Sequence, residues 1–327
     1  MDQNGTRILS WRVPPFGAVP GNRNASTIRA AGAGCTQTIE AFLRAKGCSH
    51  HVLTQLKRTD HGILQNGQWA YTNQPVHAGD AITIHLVETE PSEQILPVPL
   101  PLQIVYEDED ILIADKPCDM PVHPSAGNYE NTLANAVMYY YTSRNIPFAF
   151  RCVTRLDRDT TGLVLIAKNS LSGAILSDMA ARRQIHREYL AITEGMLPEA
   201  GTIRAPIARQ EGSPLMRCID EVRGERAVTH YRRLCAYTGP YCFSLASIRL
   251  ETGRTHQIRV HMKSIGHPLP GDFLYNPDSV CALTPRQMLH SHRISFVHPI
   301  TGKELTFESE MPKDMQLMLC SLNKLCV

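Results

Sequence analysis

The spacing of apolar residues changes character more than once along this chain. Over residues 37–57, QTIEAFLRAKGCSHHVLTQLK, two apolar groups recur at helical spacing: Ile39, Phe42 and Leu43, then Val52, Leu53 and Leu56. Such a stripe predicts helices that each bury one face. Gly47-Cys48-Ser49 between them supplies a helix stop and then a serine N-cap, so two short helices are expected. In the next stretch, GILQNGQWAYTNQPVHAGDAITIHL, Asn66-Gly67 predicts a hairpin turn. Gly79-Asp80 predicts another turn, ahead of the alternating Ala81-Ile82-Thr83-Ile84. ETEPSEQILPVPLPL, residues 88–102, then carries prolines at 91, 97, 99 and 101. Proline at that density excludes helix and predicts an extended linker. The expected domains are therefore 1–92, which includes a leading strand, and 93–327.

Beyond the linker, short strand patterns alternate with turns. IVYEDEDILIADKP reads as a hairpin with Glu107-Asp108-Glu109-Asp110 at its turn and Ile111–Ala114 as a buried strand. CVTRLDRDTTGLVLIAKN reads as strand, loop, strand, since LVLIA is apolar and β-branched. SLSGAILSDMAARR predicts an amphipathic helix capped by Ser170 or Ser172, and REYLAIT, YCFSLASIRLET and ISFVHP predict further strands. The class expected is α+β, on a mixed, mainly antiparallel sheet.

Composition narrows the setting. Apolar content of 43% and charged content of 20% describe an ordinary folded protein. No run approaches the roughly 18 apolar residues of a membrane span. MDQNGTRILSWRVPPF lacks the basic-then-apolar pattern of a secretory signal, so a cytoplasmic protein is expected. Ten cysteines include no Cys-x-x-Cys pair and read as reduced, small hydrophobic residues. His256/His261 and His290/His292 have no third ligand at a recognisable spacing, and no metal site is expected. A net charge of +2 hides local basic patches, at RLETGRTHQIRVHMK (249–263) and ARRQIHR (181–187), which suit a polyanion.

RLDRDTTG, residues 155–162, holds two carboxylates among arginines. A metal-holding pair recruits further acidic ligands, and Arg155 and Arg158 compete with a cation. An acid–base pair of raised pKa is spoiled by the same arginines. Arginine favours the ionised form of a neighbouring carboxylate, which suits a nucleophile or base. A solvated charged loop is the remaining alternative.

Four stretches taken together change the picture: ADKPCDMPVHPSAG (114–127), RLDRDTTGLVLIAKN (155–169), HREYLAIT (186–193) and LETGRTHQIRVHMKSIGHPLPGD (250–272). In content and order they closely resemble the RluA-type family of pseudouridine synthases. LHSHRISFVHPITGKELTFESEMPKDM (289–315) resembles that family's C-terminal strand region, and the resemblance covers about residues 103–315. It implies isomerisation of a uridine in RNA to pseudouridine, with no cofactor and no metal. By the family pattern Asp157 is the catalytic aspartate, and Asp159 has no nucleophilic role. Tyr189 stacks on the uracil, Arg259 pairs with the aspartate, and Arg155 enters the space vacated by the flipped base. Lys116, His123 and Arg254 are candidate RNA-binding residues, with satisfaction of loop carbonyls an equal alternative for Arg254 and a structural hydrogen-bonding role the stronger expectation for His123. Thr160, Thr161, Gly162 and Gly253 are expected to shape the loops, the glycines by permitting tight turns; His256 and His261 are expected to be structural. Thr154 stands where the family often has His, and Pro270 where an apolar or branched residue is commoner; neither removes a reacting group. The N-terminal helix pair and following strands resemble the S4 RNA-binding fold, in a form with few basic residues besides Arg44, Lys46, Lys57 and Arg58, and a structural or protein-binding unit is the alternative.

The resemblance makes large-subunit ribosomal RNA the first expectation for a partner and transfer RNA the second, with a monomer and no membrane partner. Two other readings stand beside it: a non-catalytic RNA-binding or ribosome-assembly factor of the same fold, and a metal-dependent Asp-x-Asp enzyme.

Overall fold

A computed structural model of the protein describes residues 5–15, 37–88, 95–238, 241–279 and 284–325. The N-terminal part comprises β1 (Thr6–Arg12), α1 (Ile39–Ala45), α2 (His50–Arg58), β2 (Ile63–Gln65), β3 (Gln68–Trp69) and β4 (Ala81–Val87). The four strands form one sheet in the order β1-β4-β2-β3. Both helices form where the apolar spacing predicts, and Ser49 Oγ caps α2 by accepting from Val52 N. Asn66 and Gly67 both adopt positive φ, 52° and 80°, as a tight two-residue hairpin requires. Ile39, Phe42, Leu43, Val52, Leu53 and Leu56 all lie in the core between helices and sheet.

The rest comprises β5 (Gln103–Glu107), β6 (Ile111–Lys116), α3 (Leu133–Thr142), β7 (Arg151–Cys152), β8 (Thr161–Ala167), α4 (Ser170–Ala181), β9 (His186–Glu194), β10 (Ala200–Arg204), β11 (Ile207–Arg209), β12 (Arg217–Ile219), β13 (Val228–Thr238), β14 (Phe243–Leu250), α5 (Gln257–Ser264), β15 (Leu289–Val297), β16 (Glu304–Glu308), α6 (Lys313–Cys320) and β17 (Asn323–Leu325). A large sheet runs β10-β13-β14-β9-β15-β8-β6-β5, with β16, β17 and β7 attached to β15, β13 and β8. Its pairings are antiparallel except β8 with β15. β11 and β12 form a separate hairpin.

The all-apolar runs of β6 and β8 are explained by burial on both faces, as in the interior of a covered sheet. Leu112, Val164 and Ile166 pack under α3, while Ile113, Leu163 and Leu165 face Leu176 and Met179 of α4. α3 has no legible sequence stripe because LANAVMYYYT is buried on most sides. Helix α4 corrects one expectation: its cap is Asn169, whose Oδ1 accepts from Ser172 N at 2.8 Å. Ser170 instead donates to Gln55 Oε1 of α2 at 2.7 Å.

That bond belongs to a wider contact between the two parts. Leu171 of α4 is buried within the N-terminal core, and Arg7 clasps Asp110 through two bonds of 3.0 and 2.9 Å. Of the proline-rich linker, residues 89–94 lie outside the described residues. Residues 95–102 form no regular structure, as expected, but are pinned to α3 by Asn135, which donates to Leu96 O at 2.7 Å and accepts from Val98 N at 3.2 Å through its carbonyl.

Candidate active site

The acidic stretch of RLDRDTTG lies on the loop between β7 and β8. Thr160 N donates to Asp157 O at 3.1 Å, closing a turn that presents the Asp157 side chain. Gly162 fastens the loop's far end: its φ is +108°, and a Cβ there would lie 2.3 Å from Ser291 O of β15. Only glycine permits that approach. Thr161 is buried beside it and shares a 3.0 Å hydrogen bond with His290 Nδ1. Gln287 Nε2 reaches Thr160 Oγ1 at 3.4 Å.

Asp157 meets Arg259, which α5 brings from across the sheet. Arg259 Nη1 donates to Asp157 Oδ2 at 3.1 Å. The other edge of the guanidinium is taken by Asp272, with Nε and Nη2 each 2.7 Å from a carboxylate oxygen. Burial works against the Arg259 charge, but the bonds to Asp272 and the field of Asp157 outweigh it and its pKa moves up. Asp272 Oδ1 also accepts from Leu274 N and Tyr275 N, both at 3.1 Å, so the clamp is anchored to backbone. Asp159 has a different partner, Arg158 Nη2 at 3.3 Å. The two carboxylates of the motif are thus held apart by separate arginines.

His256 Nε2 lies 3.9 Å from Asp157 Oδ2. Its Nδ1 is 2.9 Å from Tyr275 OH, and that hydroxyl already accepts from Arg217 N at 2.8 Å. Burial lowers the His256 pKa, against the opposing pull of Asp157, and so favours the neutral ring.

Asp157, His256 and Arg259 line a cleft of about 440 Å³, whose walls also include Arg155, Tyr189, Gly253 and Arg254. Tyr189 comes from the middle of β9, paired with Ile248 of β14 and Ser291 of β15. It is only 4% exposed and packs among Ile248, Ile258 and Leu289. Arg155 is exposed on the loop. Arg254 is ion-paired with Glu225 and donates to Arg226 O at 3.3 Å.

Several expectations are corrected by this arrangement. Lys116 is 0% exposed and has no surface to offer RNA. Its Nζ donates to the carbonyls of Pro117 and Arg158, both at 2.8 Å, and so holds the Asp157 loop from beneath. Burial pushes its ammonium down to about 7, against the opposing pull of Asp159 and Asp157. His123 is half-buried, edge-on to Phe150 at 5.1 Å, and is not among the cleft-lining residues. Burial, with the charge of Arg155, lowers its pKa. Gly253 lines the cleft, but its φ is not positive and a Cβ would meet only the flexible end of Arg187, at 3.2 Å. His261 is structural as expected, bonded to Thr229 Oγ1 at 2.8 Å and Ala205 O at 2.9 Å. The sequence reading missed the proximity of His256 to Asp157, and it missed Asp272 and Tyr275 altogether. Asp272 closes the HPLPGD stretch, where an aspartate after a glycine signals a turn and not a buried ion pair.

Comparison with known proteins gives one matching family and several relatives. The family described as RNA pseudouridylate synthase matches residues 110–264. A Zymomonas mobilis protein named ribosomal large subunit pseudouridine synthase D is 41% identical, over 79% of this chain and 84% of its own length. Its namesake from Escherichia coli K12 is 38% identical, over 78% and 81%. A Bacillus subtilis protein named uncharacterized RNA pseudouridine synthase YjbO is 35% identical, over 86% and 98%. The solved structure of human RNA pseudouridylate synthase domain containing 1 covers 68% of this chain and 89% of its own, with a TM-score of 0.57 at 24% identity, and shares the fold.

Proposed function

Because this chain belongs to the RluA-type family of RNA pseudouridine synthases, we propose that it acts on large-subunit ribosomal RNA, with Asp157 as the reacting carboxylate. The substrate rests on two relatives named for that RNA. The role of Asp157 rests on one observation above all: a carboxylate at the wall of a cleft, bonded at 3.1 Å to an arginine that is itself 3% exposed. A guanidinium is permanently charged and planar, so it orients an anionic carboxylate without supplying a proton.

In the reaction the N1–C1′ bond of the target uridine breaks, the uracil turns while bound, C5 joins C1′, the C5 proton leaves to solvent, and the freed N1 takes up a proton, so that the product is an isomer of the substrate. The base must first leave its stack, at a cost of a few kcal/mol. Arg155, exposed on the Asp157 loop, fills the vacated place. Tyr189 stacks on the uracil, worth about 1–3 kcal/mol, and its phenol assists removal of the C5 proton. Arg254 binds phosphate. The N-terminal part, with its helix pair and small sheet, is an S4-like RNA-binding unit preceding a catalytic domain of residues 93–327.

Tritium release from RNA labelled at uridine C5 tests the reading, with ribosomal and transfer RNA assayed separately. Release from large-subunit RNA by wild type and not by Asp157→Asn is expected, with RNA affinity retained. Release by Asp157→Asn at the wild-type rate overturns the role of Asp157, and release from transfer RNA alone overturns the substrate.

A further inference from the structure

A second cleft, of about 450 Å³, adjoins the first and shares Gly253 and Arg254 with it. Its walls carry four guanidinium groups, Arg209, Arg217, Arg223 and Arg254, against one carboxylate, Glu225. Two of the four have carboxylate partners: Arg223 binds Asp220 at 2.8 Å and Arg254 pairs with Glu225. Among the described residues the Arg217 side chain has only the carbonyls of Leu215 and Met216, at 3.2 and 3.1 Å. Arg209 is exposed and has no ion-pair partner among the described residues. Two uncompensated guanidinium groups facing one groove attract anionic oxygens strongly, and each has N–H donors to spare.

The groove is also built to a fixed geometry relative to Asp157. Arg209 and Arg217 face each other across the β11–β12 hairpin. That hairpin is tied to the first cleft through Arg217 N and Tyr275 OH, which in turn meets His256 beside Asp157. Gln257 Oε1 accepts from Arg254 N at 3.0 Å, and its Nε2 donates to Val228 O, also at 3.0 Å, so the shared wall is braced as well.

We propose that this arginine-lined groove binds backbone phosphates of the RNA strand flanking the target uridine, and so holds the substrate in register with Asp157. The inference rests on the RNA substrate proposed above. The chemistry recognised is the phosphodiester and not a base, so the groove contributes affinity and placement without reading sequence.

The test uses the full chain and a large-subunit ribosomal RNA transcript, with affinity measured across a salt series. On a single strand, each phosphate that the protein no longer neutralises lowers the slope of log affinity against log salt by about 0.7. Arg209→Gln is expected to lower it by that amount, and Arg209→Gln with Arg217→Gln by about twice as much. KM should rise several-fold, with kcat unchanged at saturating RNA. Lys303→Gln, an exposed lysine remote from both clefts in sequence, should leave the slope unaltered. Unchanged slope and KM in both arginine variants overturn the groove; a slope lowered equally by Lys303→Gln overturns it too, because the effect would then be general charge. The single Arg209 variant leaves the turn bonds of Arg217 intact, so a misfolded hairpin cannot mimic the result. If wild type binds the transcript with this arginine dependence but releases no tritium, the groove stands and the proposed reaction falls.

Discussion

Asp157 and Asp272 share one guanidinium. Arg259 gives a single bond to Asp157 and a two-pronged one to Asp272, and it is the buried Asp272, 1% exposed in its side chain, that fixes the plane of the group. The carboxylate facing the cleft is thereby held by a donor that cannot swing away.

Arg259→Lys tests that geometry. Lysine keeps the charge and loses the fork, so it cannot serve both carboxylates at once. A fall in kcat of about 10²-fold is expected, the scale of a misplacement near 1 Å. Asp272→Asn, which breaks a buried pair, should add a stability loss of about 3–5 kcal/mol. Steady-state kinetics and urea midpoints report the two effects separately; wild-type kcat in Arg259→Lys would mean that charge alone suffices.

Tyr189→Phe keeps the ring and removes the phenol. If the hydroxyl assists the C5 proton, kcat falls by about 10²-fold with little change in KM, in line with the usual worth of general acid–base groups. An unchanged kcat confines Tyr189 to stacking and packing against Ile248 and Ile258.

Gly162→Ala should act on stability before chemistry. The added Cβ meets Ser291 O at 2.3 Å and the residue sits at φ +108°, so β8 and β15 must separate where their parallel ladder begins. A loss of about 2–4 kcal/mol is expected, read as a lower urea midpoint. Midpoints equal to wild type would show that the ladder yields easily.

Lys116 makes stability depend on pH in a definite direction. Unfolded, its amine holds a proton up to about pH 10.4; folded, it releases it near 7. Between those values the unfolded chain binds more protons, so stability rises with pH, by at most about 1.4 kcal/mol per unit. Lys116→Met should lack that contribution, and urea midpoints at pH 7, 8 and 9 compared between the two proteins isolate it. Equal pH slopes would remove the buried amine as the cause.

Deleting residues 1–92 removes the cover over Leu171 and takes Arg7 from Asp110. A lower melting temperature and a higher KM for RNA are expected, with kcat of the folded fraction kept. Unaltered RNA affinity would leave the S4-like reading without support.

Much of this protein is written in short-range patterns. The helices at 39–58, the Asn66-Gly67 turn, the acidic hairpin turn at 107–110 and the strand–loop–strand around Asp157 all follow from spacing, caps and turn residues within a few positions of one another. The order of four motifs was sufficient for the resemblance to RNA pseudouridine synthases, because reacting groups recur with their local neighbours.

Partner choice was decided only in three dimensions. Asp157 and Arg259 stand 102 residues apart and meet because the loop before β8 and the start of α5 converge on one cleft. Lys116 looks like a surface cation in one dimension, yet the sheet seals it beneath the loop, where its ammonium has two carbonyls to bind. The contacts of Asp272, Tyr275 and His256 were not legible as letters for the same reason: a hydrogen bond depends on where two chain segments pack, and that is set by burial on both faces of the sheet, not by sequence neighbours.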